Sequence, residues 1–215
     1  MDFVNLGQPE LGIRIYKSPL GPRVSEPLNQ CLTDEQSCNR WSLALVGYEQ
    51  VPDKSYRNCQ DFKMGSNEIP YVQEKIVSIY EETVGQVRDC VDDYSRSYGI
   101  SMNYMEAVNF VKYEKGTHFS YHSDHGHHYV CTLSTIVYYN DNYEGGELAF
   151  DKLNLKLKPS AGDIVVFPST FIYSHASLPV VAGTKYAAVT MFDYNNEYSM
   201  FRKKLLGSQI IDRGQ

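Results

Sequence analysis

The chain has 215 residues, 42% of them hydrophobic and 21% charged, a balance that fits one folded domain with a sizeable core and excludes a disordered or fibrous chain. Its formal net charge of -6 repels a phosphate backbone, and its one compact basic cluster, Arg202, Lys203 and Lys204, lies near the C-terminus, so nucleic acid is not an expected partner. Nowhere is there an apolar run of the roughly 18 residues a membrane span needs, and the first residues lack the basic start and apolar stretch of a signal peptide. An intracellular, soluble protein, cytoplasmic or otherwise, is therefore expected, with no membrane contact; nothing in the sequence speaks to oligomeric state.

The five cysteines, Cys31, Cys38, Cys59, Cys90 and Cys131, form no CxxC pair, and an odd number cannot all pair within the chain. Structural zinc and a disulfide framework are not expected; a Cys31–Cys38 bridge is the one the spacing leaves open, and free thiols are the reading adopted.

In chain order, residues 1–40 are rich in Pro and Gly with little periodicity and read as an irregular arm. Residues 41–104 form an N-terminal region that opens on WSLALVGY (41–48), read as a buried strand, and continues through a polar, turn-rich stretch to Ser66. From Pro70, apolar residues Val72, Ile76, Tyr80, Val84, Val87, Val91 and Tyr94 recur at spacings of three and four. That is one helix face, predicting a long supporting helix near 70–98 with proline in its first turn and Gly99 ending it.

Beyond Gly99 the texture changes to short β-rich runs: AVNFVKY (107–113), YVCTLSTIVYY (129–139), GELAF (146–150), NLKLK (154–158), DIVVF (163–167), FIYSH (171–175) and KYAAVTMFD (185–193). Gly, Asn, Asp and Pro clusters separate them at short intervals, the pattern of a β-sandwich or barrel rather than of βαβ units. The predicted fold is mainly β with N-terminal helices, with a double-stranded β-helix (jelly roll) core over 105–193 and a tail over 194–215, all one catalytic domain.

Within GTHFSYHSDHGHH, His122 and Asp124 are one residue apart, so on an extended strand both side chains leave the same face. Five of the six histidines lie between 118 and 128, which leaves His175 as the distant second imidazole. Two imidazoles and one carboxylate make a facial triad with open coordination positions, the arrangement that suits iron(II) and oxygen activation. His118, His125, His127 and His128 read as rim residues. Glu144 and Glu147 read as flanking a turn that Gly145 and Gly146 make through a positive backbone dihedral.

Four ordered motifs carry a resemblance. The first is Tyr113, Gly116, Phe119, His122 and Asp124 at their mutual spacing; the second is YYNDNYEGGELAF, with Gly145, Gly146, Glu147, Leu148 and Phe150; the third is GDIVVFPS; the fourth runs His175, Pro179, Val180, Gly183, Lys185. Over about residues 105 to 193 the sequence resembles the iron(II) and 2-oxoglutarate-dependent dioxygenases, and within them the prolyl 4-hydroxylase-like branch. The resemblance implies Fe(II), with 2-oxoglutarate and O2 as co-substrates and ascorbate as a reductant, metal ligands His122, Asp124 and His175, and co-substrate contacts from Tyr113 and Tyr138. Lys185 suits the same task chemically, because a dicarboxylate chelating iron through its 2-oxo acid end needs a cation for its far carboxylate.

The implied reaction is hydroxylation of a prolyl residue in a peptide or protein. Two departures bear on the substrate: no arginine occurs between Arg96 and Arg202, and the position six beyond Lys185, often tryptophan in the family, is Met191. Arg57, in YRNCQ, sits roughly where family members carry an Arg-Thr-Ser stretch, and is read as able to reach the substrate groove. The rival readings are a 2-oxoglutarate-dependent hydroxylase of a free amino acid or another side chain, a cupin-type metal enzyme without 2-oxoglutarate, and a metal-free β-sandwich binding module. The cupin reading lacks its usual glutamate after the histidine pair, since YVCTLS follows, and the metal-free reading leaves Lys185 and the triad without a purpose.

Overall fold

The computed structural model of the protein describes residues 1–20, 40–47, 50–126, 129–195 and 210–212. Cys31, Cys38, His127, His128 and the Arg202–Lys204 cluster lie outside the described residues. The elements are β1 (Phe3–Asn5), β2 (Arg14–Tyr16), β3 (Ser42–Leu43), β4 (Arg57–Asn58), β5 (Gln60–Met64), α1 (Glu74–Tyr98), β6 (Tyr104–Glu106), β7 (Val108–Tyr113) and β8 (His118–His122). They continue with β9 (Leu133–Tyr138), β10 (Glu144–Gly145), β11 (Leu148–Phe150), β12 (Leu155–Leu157), β13 (Ile164–Pro168), β14 (His175–Ser177), β15 (Val180–Ala182), β16 (Lys185–Asp193) and β17 (Ile210–Asp212).

All pairings are antiparallel. A major sheet runs β1-β2-β13-β9-β16-β7-β5-β3, with β6 pairing the far end of β16 and β17 pairing β6; a minor sheet runs β12-β11-β14-β8-β4; and β10 pairs β15 as a short ribbon. The period-2 alternation of side chains sorts the major sheet into two faces. Val137, Tyr139, Ile164, Val166, Tyr186 and Ala188 pack toward α1. Their neighbours Ile136, Tyr138, Val165, Phe167 and Ala187 instead join Leu148, Phe150 and Val180 in the second core. The central strands are thus covered on both sides, which is why β9 is buried at every position.

Helix α1 lays Ile76, Tyr80, Val84, Val87, Val91 and Tyr94 on the sheet and ends where Gly99 adopts φ 64, its N–H returning to Ser95 O. Pro70 does not open it. Pro70 lies in a 3-10 turn over Ile69–Tyr71, and the extended backbone of Val72 and Gln73 separates that turn from the helix.

Three segments differ from their sequence reading. The N-terminal stretch is not wholly irregular, because β2 pairs β13 and β1 pairs β2. Arg14, 7% exposed, stacks over Phe3 and Tyr98 and donates to Ser97, fastening these strands to the end of α1. Among the described residues of WSLALVGY only Ser42–Leu43 form a strand, and Leu45 is exposed. FIYS is a 3-10 turn over Phe171–Tyr173, with Phe171 exposed, and the strand begins only at His175.

Candidate active site

Antiparallel pairing, rather than sequence proximity, assembles the three candidate ligands. β8 and β14 are neighbours in the minor sheet with His175 opposite His122, and the backbone bends immediately after β8 to place Asp124 beside both. His122 Nε2 lies 3.5 Å from Asp124 Oδ1, His175 Nε2 lies 3.7 Å from Asp124 Oδ2, and one ligand atom from each residue falls within 4.8 Å of the others. Nδ1 of His122 is 2.8 Å from Ser120 O and Nδ1 of His175 is 3.0 Å from Tyr173 O. Each carbonyl fixes the proton on Nδ1 and turns the bare Nε2 toward the shared point.

Protonation agrees with this geometry. Burial pushes His175 down to about 4, so its imidazole is neutral near pH 7 even beside Asp124. Burial alone would raise Asp124, but His175, His122 and the Ser134 hydroxyl outweigh it and hold the carboxyl below the usual carboxylate range. A neutral His175 and an ionised Asp124 are the states in which these two residues can ligate a divalent cation.

Ser134, on β9, donates to Asp124 Oδ2 at 2.5 Å and bonds Ser169 Oγ at 2.8 Å, which fixes the carboxylate's rotation. Sequence reasoning did not single it out. Its only signal is a period-2 relation to Tyr138 along β9, and a serine in an otherwise apolar strand commonly satisfies itself on backbone. Removing a hydrogen bond to a ligating carboxylate typically costs about 10–100-fold in metal affinity. Ser134→Ala is therefore expected to weaken Fe(II) binding in that range, as read by competition with a chelator, while leaving the melting temperature of the metal-free protein close to wild type.

The triad opens onto a cleft of about 720 Å³ that also reaches Tyr113 and Lys185. Lys185 begins β16, directly opposite Tyr113 on β7, and is 3% exposed. Its Nζ donates to Gly146 O at 2.7 Å and Ser177 Oγ at 2.9 Å and lies 5.1 Å from the Tyr113 ring and 5.2 Å from the Tyr138 ring. Burial pushes its pKa down to about 7 against the opposing pull of Glu147. Among the described residues no carboxylate lies within ion-pair range of it. A buried ammonium with no anion is unfavourable unless a ligand supplies one. The Tyr138 hydroxyl, buried and without a hydrogen-bond partner, points to the same conclusion. An anionic ligand fits the end of the cleft.

Gly145 and Gly146 have φ 69 and 65, and a side chain at Gly145 would meet Pro179 O at 2.5 Å. The glycine pair thus turns the β10–β11 corner against β15 and presents Gly146 O to Lys185. Arg57 on β4 lines the cleft, yet its guanidinium is already engaged, donating to Asp61 at 2.8 Å and Leu45 O at 3.1 Å and lying 4.8 Å over the Phe119 ring. Phe119 in turn stacks on His122 with centroids 3.7 Å apart. Of the neighbouring histidines, His118 bonds Ser55 O and His125 bonds Cys131 O, and neither joins the triad. Glu144 is exposed, and Glu147 faces Lys156 at 3.9 Å.

Residues 108–193 match the profile of the 2OG-Fe(II) oxygenase superfamily. Over these residues the chain is similar to the 2OG-Fe(II) oxygenase domain. The domain spans β7 to β16 and so contains all three candidate ligands, Tyr113, Tyr138 and Lys185. No curated protein sequence matches the chain significantly.

Solved structures share the domain's fold. A prolyl hydroxylase from Trichoplax adhaerens, in complex with a hypoxia inducible factor oxygen degradation domain peptide fragment, is 19% identical with a TM-score of 0.71, over 89% of this chain and 88% of that one. A prolyl-4-hydroxylase from Pseudomonas putida is 16% identical with a TM-score of 0.66, over 86% and 94%. The viral collagen prolyl hydroxylase of Paramecium Bursaria Chlorella virus-1, in its 2OG complex, is 19% identical with a TM-score of 0.61, over 86% and 96%. The 2OG-Fe(II) oxygenase domain takes Fe(II) as its metal and 2-oxoglutarate with O2 as co-substrates.

Proposed function

We propose that the protein hydroxylates a prolyl residue in a peptide or protein, with 2-oxoglutarate and O2 consumed and succinate and CO2 released for each C–H bond converted to C–OH. The observation that carries the reading is one cleft joining a His-Asp-His cluster to a buried lysine without an anion.

In this reading His122, Asp124 and His175 hold Fe(II), which supplies O2 activation coupled to decarboxylation of 2-oxoglutarate. The chain's own residues bind and orient. Lys185 pairs with the far carboxylate of 2-oxoglutarate, and Tyr113 and Tyr138 donate hydrogen bonds to it without adding charge. Ser134 keeps Asp124 from turning. Val189 and Met191, further along β16, give the cleft an apolar wall on which a pyrrolidine ring can pack. Leu45 and Tyr56 line the same cleft and are exposed. An extended, proline-containing segment can lie along such a mouth and present one ring carbon to the metal. Arg57 contributes by holding Phe119 against His122 and shaping the groove, through Asp61 and Leu45 O.

The substrate test is an assay of succinate formation with proline-rich peptides, free proline and a methylated oligonucleotide, followed by mass spectrometry for the gain of one oxygen. The expected result is oxygen gain at a prolyl residue of a peptide. Turnover on free proline alone would move the substrate class while keeping the chemistry, and turnover confined to the oligonucleotide would contradict the reading.

A further inference from the structure

The motif GDIVVFPS ends on Ser169, directly after β13, and Ser169 is 1% exposed. Phe167 of the motif pairs with Ser134 on β9, so Ser169, two residues on, leaves the same face as a diagonal neighbour of Ser134. The ladder ends at Pro168, whose nitrogen carries no hydrogen to donate. One more backbone bond, from Ser169 N–H to Thr132 O at 3.0 Å, keeps Ser169 against β9.

From there Ser169 reaches the metal site twice. Its carbonyl accepts the N–H of His125, the residue after Asp124, at 3.0 Å. Its hydroxyl lies 2.8 Å from Ser134 Oγ, which is 2.5 Å from Asp124 Oδ2. Counting protons fixes the direction of this chain. An ionised carboxylate only accepts, so Ser134 directs its single hydroxyl proton to Asp124, and Ser169 must be the donor to Ser134. Ser134 is fully buried, so solvent cannot replace that donor. A hydroxyl that receives a hydrogen bond also donates a stronger one.

We infer that Ser169 is a positioning residue for the metal centre: its hydroxyl, by donating to Ser134, aims the Ser134 proton at Asp124 and holds that carboxylate in its ligating rotation. The backbone of the same residue holds the turn that carries Asp124, so β13 sets both where the carboxylate stands and how it is turned. The inference rests on reading His122, Asp124 and His175 as Fe(II) ligands, and it gives the third motif a task at the metal. Because the hydroxyl acts on Asp124 only through Ser134, its effect should vanish once Ser134 is gone.

The test is a double-mutant cycle on Fe(II) affinity, read by competition with a chelator in the absence of oxygen. Wild type, Ser169→Ala, Ser134→Ala and the double variant are compared, with melting of each metal-free protein to check folding. Ser169→Ala keeps both backbone bonds and removes one hydroxyl, so Fe(II) binding should weaken by roughly two- to tenfold, a smaller loss than that of Ser134→Ala. In the Ser134→Ala background the same change should alter affinity by less than about twofold. The cycle run with Ser169→Cys, which keeps nearly the same volume but weakens the donor, carries the test if alanine disturbs folding. Equal losses in the two backgrounds overturn the inference, since the serine would then act through the fold at large. Wild-type affinity in folded Ser169→Ala overturns it too, while Ser134→Ala still binding weakly would leave the ligand assignment standing. Failure of the wild type to bind Fe(II) overturns both the inference and the reading beneath it.

Discussion

His175→Ala, His122→Ala and Asp124→Ala are each expected to reduce turnover to background and to abolish stoichiometric Fe(II) binding. The three positions are not equivalent in what else they disturb. His175 is 5% exposed and packs against Phe167 and His122 with centroids 4.9 and 4.4 Å apart, so alanine there also leaves a void between the sheets. His122 is more exposed and stacks on Phe119, and its loss should cost less stability. Metal content by elemental analysis, with thermal melting of the metal-free proteins, separates lost ligation from lost packing. A His175→Ala protein that retained iron and full activity would show that the distant ligand is another residue.

Lys185→Ala is expected to weaken 2-oxoglutarate binding by roughly a hundred- to several thousandfold, since removing one partner of a buried ion pair costs about 3 to 5 kcal/mol. Fe(II) binding should survive, because the lysine touches none of the three ligands. A pH dependence follows from the same residue. In the free protein burial holds the Lys185 pKa near 7, so above that pH the amine is largely neutral. Binding a carboxylate favours the ammonium and raises its pKa, so binding takes up a proton above pH 7. The apparent affinity should therefore fall as pH rises through about 7, by up to tenfold per unit, and be nearly level below it. Lys185→Arg keeps its charge throughout this range, so any binding that survives should lose the dependence. Calorimetric titration between about pH 6 and 9 checks both variants. A level wild-type profile above pH 7 would contradict the assignment of a neutral lysine to the free protein.

What the sequence disclosed best was what its periodicity encodes directly. KYAAVTMFD is a nine-residue strand with the bounds read for it, and one residue of spacing put His122 and Asp124 beside each other. His175 could be named by elimination because the other histidines crowd into one segment. The N-terminal strands were hidden for a physical reason: β2 is three residues long and buried throughout, so Arg14, Ile15 and Tyr16 show no polar-apolar alternation. FIYSH misled because its aromatic and β-branched residues fit a strand, whereas Phe171 and Ile172 stand exposed on a 3-10 turn. WSLALVGY misled similarly, its apolar run contributing Leu45 to the cleft rather than a long strand to the core. Ser134 was illegible as a site residue because its role depends on Asp124 and Ser169, partners brought to it from other segments of the chain. Arg57 was noticed, but its engagement with Asp61, Leu45 O and Phe119 is a property of the assembled sheet.

The central claim, that one cleft binds Fe(II) and 2-oxoglutarate together, is tested most directly by adding 2-oxoglutarate to the Fe(II)-loaded protein without oxygen and recording the visible absorption of the metal. The expected result is a change that saturates with 2-oxoglutarate, requires higher concentrations in Lys185→Ala, and is absent from His175→Ala. No change in the wild type at any concentration of 2-oxoglutarate, with iron demonstrably bound, would contradict it.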